Sequence, residues 1–152
     1  MRARSAAKPL KSFRRNTQQR HQIRSVFERQ GRPLSADEVF ALAQKKIAGL
    51  GMATVYRTIK ALTDEGWLIP VDVPGAPPRY ELRGKNHHHH FHCLECGRLF
   101  ELEGCLEQLG KMIPARFRAV DHVVMIYGYC AACDGARAAR PAREGEASRV
   151  HN

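Results

Sequence analysis

No stretch of this chain reaches the ~18 consecutive apolar residues that a membrane-spanning helix needs, which argues against an integral membrane protein. Met1 to Arg15 is basic but lacks the apolar segment of a secretory leader. Its thiols are therefore expected to be reduced and its setting cytoplasmic. Internal repeats are absent, and so are two familiar catalytic zinc patterns. There is no His-Glu-x-x-His, and His92 is not followed by x-Glu. A zinc-dependent hydrolase needs an open metal position and a general base. It is kept only as an alternative, and the chain is not expected to be an enzyme.

What the chain does have is Cys93-Leu-Glu-Cys96 and Cys130-Ala-Ala-Cys133. Each short knuckle aims two thiolates at one ion, so the two pairs fit a tetrahedral structural zinc site on Cys93, Cys96, Cys130 and Cys133. A redox role asks for one such pair near a βαβ unit, so two distant pairs favour metal. Cys105 is left over. It lies in a helix-like stretch with Leu102, Leu106 and Leu109, which predicts a packed core thiol.

His87, His88, His89, His90 and His92 precede the first cysteine pair and exceed what a four-thiol site can use. Spare ligands beside a filled site suggest a second metal, less permanently held, as in a sensor. In a strand the side chains alternate. His88, His90 and His92 then share one face while His87, His89 and Phe91 share the other, so one run can feed two sites.

The net charge of +10 and pI near 9.8 imply an acidic partner, nucleic acid before anionic membrane. Along the chain, residues 1–15 are expected to be a disordered basic arm. Residues 16–82 form a first domain. Thr17 caps a first helix carrying Ile23, Val26 and Phe27, and Ser35 to Glu38 is a capping box opening a second helix. A third helix from about Ala53 turns Val55, Ile59 and Leu62 inward and stops at Gly66. Trp67 to Val73 and Arg79 to Leu82 bracket a Pro-rich turn and predict a hairpin. Three short helices and a hairpin make a winged helix-turn-helix.

Residues 83–86 form a polar hinge. Residues 87–133 are expected to hold strands at His87 to Cys93, Leu99 to Leu102 and Phe117 to Tyr127, with a helix from Cys105 to Ile113. Residues 134–152 are expected to be a disordered tail. The fold class is α+β. In a helix-turn-helix the start of the second helix meets base edges in the major groove. Those residues are Thr54, Tyr56 and Arg57, with Tyr56 suited to thymine methyls and Arg57 to guanine. A zinc-ribbon nucleic-acid scaffold in which the histidines only store metal is the other alternative. It leaves the helix pattern from Ser35 to Gly66 unexplained.

Six segments carry a resemblance to the ferric uptake regulator family of metal-dependent repressors. They are Thr17 to Arg20, Leu34 to Glu38, Gly51 to Arg57, Arg79 to Leu82, His87 to Gly97 and Tyr127 to Cys133. The resemblance implies a homodimer with an N-terminal winged helix on palindromic operator DNA and a C-terminal α/β dimerisation domain. Carried over position by position, it puts a regulatory metal on Glu81, His88, His90 and Glu101, on both sides of the hinge. A third metal site falls on His87, His89, Glu107 and His122. Tyr56 and Arg57 match the family's base-reading pair, and Arg14, Arg15 and Arg20 join the DNA-facing set.

The chain departs from the family at two places. Iron- and peroxide-sensing relatives usually supply a histidine just before the second helix, where Arg32, Pro33 and Leu34 stand here. His92 is a candidate replacement. Zinc-sensing relatives often place a cysteine where Arg83 stands. The expected cofactors are structural Zn²⁺ and a regulatory Zn²⁺ or Fe²⁺, with the histidine run tilting toward zinc.

Overall fold

The computed structural model describes residues 10–104 and 107–138, apart from the side chains of 10–15, 107–109 and 137–138. The chain divides between His88 and His89 into two compact units.

The first unit begins with α1 (Leu10–Gln30), α2 (Ala36–Ala43) and α3 (Met52–Asp64). The helical period places Ile23, Val26 and Phe27 of α1, Val39 and Ala43 of α2, and Val55, Ile59 and Leu62 of α3 in one buried cluster. Trp67 closes it. Its ring meets Phe27 edge-on at 6.3 Å, and the Arg24 guanidinium lies over it at 4.5 Å.

The expected capping box is present. Ser35 Oγ accepts from the Glu38 N–H at 3.2 Å, and the Glu38 carboxylate accepts from the Ser35 N–H at 3.0 Å. Thr17, in contrast, is not a cap. Helix α1 already runs from Leu10, so residues 10–15 of the expected disordered arm are helical, while residues 1–9 lie outside the described residues. No glycine or proline interrupts Leu10 to Thr17, and its Leu, Lys and Arg residues favour helix, so nothing stops the helix short.

The hairpin forms as expected from β1 (Leu68–Val71) and β2 (Arg79–Leu82), paired antiparallel from Leu68↔Leu82 to Val71↔Arg79. Leu34 exchanges both backbone hydrogen bonds with Tyr80, at 2.9 Å each, which ties the α1–α2 turn to the wing. Alternation along β2 buries Arg79 and Glu81 on one side, while Tyr80 and Leu82 pack against the apolar cluster. Arg79 pairs with Glu38, which also takes Arg32 at 2.8 Å. The capping carboxylate of α2 is thus also the counter-charge of the wing.

The second unit is built on a three-stranded sheet in the order β4-β3-β5, from β3 (His88–Cys93), β4 (Leu99–Glu103) and β5 (Met125–Gly128). Strands β3 and β5 are parallel, with His90 opposite Met125 and Cys93 opposite Gly128. Gly128 lets β5 approach: a Cβ there would lie 3.0 Å from the Phe91 ring.

Three expectations need correction here. The strand foreseen from Phe117 reduces to β5, because Phe117, Val120 and Val123 stay exposed and no strand among the described residues pairs with Phe117 to Val123. The helix foreseen from Cys105 to Ile113 is a short 3₁₀ turn at Glu107–Met112, and Cys105 itself lies outside the described residues. The tail foreseen from Asp134 starts as helix α4 (Ala131–Ala138). The Cys130 carbonyl accepts from the Cys133 and Asp134 N–H groups, and alanines favour the helix that follows.

Candidate metal centres and DNA-facing helix

The β3–β4 turn and the start of α4 bring the four paired cysteines together, each offering a sulfur within 4.8 Å of the others. All four are free thiols, and Cys96 Sγ lies 3.9 Å from Cys130 Sγ. Four thiolates at a Zn–S bond of about 2.3 Å stand roughly 3.8 Å apart in a tetrahedron, so the donors fit zinc and are too far apart for a disulfide. Cys93 is buried. Burial works against its ionisation, but backbone N–H groups of Cys96, Cys130 and Glu95 outweigh it and hold the thiol at about 6. The Cys130 N–H donates to Cys93 Sγ at 3.3 Å. Cys133 is pushed up to about 12, first by its hydrogen bond with Cys130. The Cys93 thiolate forms readily while Cys96 and Cys133 resist, as expected for a set that shares one dication.

In the first unit Glu81 is 3% exposed and meets His88, with Nε2 3.2 Å from Glu81 Oε2. The other ring nitrogen, Nδ1, lies 2.7 Å from the Asn86 carbonyl. A carbonyl only accepts, so Nδ1 carries a proton. Nε2 then faces a carboxylate oxygen, an arrangement that suits a cation between them. A histidine with one ring nitrogen on a backbone carbonyl and the other beside a carboxylate is arranged as metal-ligating histidines are.

His90 follows on β3 and is buried, its N–H donating to the Val124 carbonyl. His92 packs edge-on against Tyr127 at 5.6 Å. Glu101 lies on β4, and among the described residues neither it nor His92 joins a group of three or more close metal-capable side chains. His89 is buried against His122, ring centroids 4.9 Å apart. His87 is the residue before β3, and the Glu107 side chain lies outside the described residues. Lys85 escaped the sequence reading: its ammonium sits 3.7 Å from Glu81 Oε2. The i,i+4 spacing was the only signal available, and in a polar hinge it looks like a solvated pair.

On α3 the buried Val55, Ile59 and Leu62 leave Tyr56 and Arg57 turned outward, with Tyr56 54% exposed. Arg57 donates to Thr54 Oγ1 at 3.3 Å, so the three residues form one polar edge at the start of the helix. Arg20 pairs with Glu65, at the far end of α3. That pair holds the Glu65 carboxyl below the usual carboxylate range, chiefly through its hydrogen bond with Arg20. The side chains of Arg14 and Arg15 lie outside the described residues.

The sequence profile of the ferric uptake regulator family matches residues 11–127. The chain belongs to the ferric uptake regulator family. It is 34% identical over 130 residues to the ferric uptake regulation protein of Bacillus subtilis, covering 82% of this chain and 87% of that protein. Among solved structures it is similar to a zinc-bound manganese uptake regulator, with TM-score 0.68, 30% identity, and 74% and 87% of the two chains covered. It is also similar to the Helicobacter pylori ferric uptake regulator, described as having three functional metal-binding sites, with TM-score 0.59, 25% identity, and 77% and 80% covered.

The α+β fold is thus the family's, an N-terminal winged-helix DNA-binding domain followed by a C-terminal dimerisation domain. The protein is a metal-responsive regulator of transcription. Its four paired cysteines are a group that could hold a metal ion, and their donor set suits structural Zn²⁺. No helix among the described residues is long and apolar enough to cross a membrane.

Proposed function

We propose that this Fur-family protein is a cytoplasmic repressor of metal-homeostasis genes that grips palindromic operator DNA as a metal-loaded homodimer. Thr54, Tyr56 and Arg57 read bases in the major groove, Arg14 and Arg15 take phosphates, and Arg20 fixes α1 against the end of α3. Cys93, Cys96, Cys130 and Cys133 hold the structural zinc. Glu81, His88, His90 and Glu101 hold the sensed Zn²⁺ or Fe²⁺, with His92 as a supplementary ligand. His87, His89, His122 and Glu107 form a third site. In support of a second copy, Met112, Phe117, Val120 and Val123 leave the second unit with apolar side chains in water.

The observation that carries the sensing role is the pairing of His88 Nε2 with the buried Glu81 carboxylate. Glu81 and His88 would hold a divalent ion there, and its charge would suit the carboxylate and the ring nitrogen that face each other. A ligand shifts a two-state protein only by its differential affinity. Metal must therefore favour the DNA-competent form, and operator DNA must tighten metal binding by the same factor. The double change His88→Ala with His90→Ala is expected to keep the thiol-bound zinc and the folded dimer while abolishing metal-dependent operator binding, measured by fluorescence anisotropy. An undiminished metal response in that variant moves sensing elsewhere, first to His87, His89 and His122.

A further inference from the structure

Glu81 carries a charge that its surroundings must neutralise, because a carboxylate hidden from water is costly unless it is paired. A cation of its own unit, Lys85, lies 3.7 Å from Oε2, the same oxygen that faces His88 Nε2 at 3.2 Å. Lys85 is not a passing surface lysine. Its side chain is only 21% exposed, and its ammonium donates to the Gly31 carbonyl at 2.8 Å, across the first unit from its own place in the chain. The backbone is shaped for this. Gly84 adopts a left-handed φ of 87° just after β2, and Lys85 follows directly. The carboxylate is therefore already in the field of a tethered positive charge.

We infer that Lys85 is a built-in competitor for the regulatory metal, an internal cation that stands in at Glu81 and sets how much metal the sensor needs. The inference rests on the reading of Glu81 and His88 as ligands of that metal. Two charges of one sign a few ångströms apart repel strongly even at a protein surface, so a dication at Glu81 Oε2 binds against the lysine. The Gly31 carbonyl holds the ammonium in place and keeps that opposition from relaxing into solvent. The regulator then answers only at a higher metal concentration than the same ligands would set by themselves. Because metal and operator binding are linked, the metal level needed for DNA binding rises by the same factor.

The test is a Zn²⁺ titration of the full chain, its thiol-bound zinc in place, in competition with a chromophoric chelator. Lys85→Gln keeps a donor for the Gly31 carbonyl and removes the charge, Lys85→Met removes both, and Lys85→Arg keeps the charge. The Gln and Met variants are expected to bind the second zinc about ten-fold more tightly, while Lys85→Arg stays near the parent and all retain the thiol-bound zinc. Unchanged or weaker affinity in both neutral variants overturns the proposal, as does tightening by Lys85→Arg equal to that of Lys85→Gln. A Glu81→Gln, His88→Ala double variant separates the two ideas. If it keeps the second zinc, the regulatory-site reading falls and the lysine proposal with it. If it loses that zinc while the neutral Lys85 variants do not tighten, the lysine proposal alone falls.

Discussion

The two units of this chain are held together by different physics. In the first, side chains from all three helices and the wing meet in one dry cluster running from Ile23 to Leu68. In the second, Cys93 and Leu99 are the buried apolar residues among those described, and the other buried side chains are His89 and His90. Around them Met112, Phe117, Val120, Val123, Ile126 and Tyr127 face outward. The first unit can be stabilised by apolar burial inside a single chain. The second has to draw its stability from a chelated ion and from whatever covers its exterior. A sensor gains from this division, since a rigid reader can be joined to a module whose integrity depends on metal.

The strongest way to break the comparison is to remove the zinc. Binding energy at such a site is folding energy, on the order of 10 kcal/mol in small zinc domains. Cys93→Ser or Cys130→Ser is therefore expected to release zinc and unfold the second unit while the first stays native. Trp67 is the only tryptophan and packs on Phe27, so its emission reports the first unit alone. The expected result is loss of one zinc per chain by metal analysis with unchanged Trp67 emission. A variant that keeps its zinc and its melting behaviour would sink the four-thiol assignment.

The same division explains what was legible in the sequence. Local rules were enough for the first unit: the helical stripe of Val55, Ile59 and Leu62, the Ser35–Glu38 box and the Pro-rich hairpin turn are written within a few residues of one another. The cysteine spacing was legible for the same reason. Contacts between residues far apart in sequence were not. Arg79 finds Glu38 across 41 positions and Lys85 finds the Gly31 carbonyl across 54, and neither partner can be read from its neighbours. The stretch from Phe117 misled for a third reason. Its alternation is that of a strand, but a strand also needs a backbone to pair with, and β3 offers one only from Met125 onward.

A smaller effect in the opposite direction sharpens the contrast. Leu62 is fully buried in the helical cluster. Leu62→Ala removes apolar contacts and leaves a cavity, which is expected to cost the first unit about 2–5 kcal/mol. Denaturant unfolding followed by Trp67 measures it, and zinc content should be unaffected. If this change releases zinc as readily as Cys93→Ser, the two units are not independent in stability.

The smallest effect concerns charge within the first unit. Glu38 completes the capping box of α2 and is the partner of Arg32 and Arg79, so its carboxylate has to stay ionised for the wing to dock. Burial raises its pKa from the ordinary 4.5, but the Ser35 N–H and the two guanidinium groups outweigh burial and leave the pKa lowered. A carboxylate lowered in the folded state contributes stability that is complete above its unfolded value and fades as pH falls through the folded one. Glu38→Gln retains an oxygen for the Ser35 N–H and deletes only the charge, leaving the buried Arg79 opposite a neutral amide. The expected loss at neutral pH is about 1–3 kcal/mol, and the gap between parent and variant should close below pH 4.5. Thermal melts followed by Trp67 across that range, where zinc loss from the second unit does not register, give the answer. A gap that persists unchanged to pH 3 would mean that the charge of Glu38 contributes nothing and that its packing does the holding.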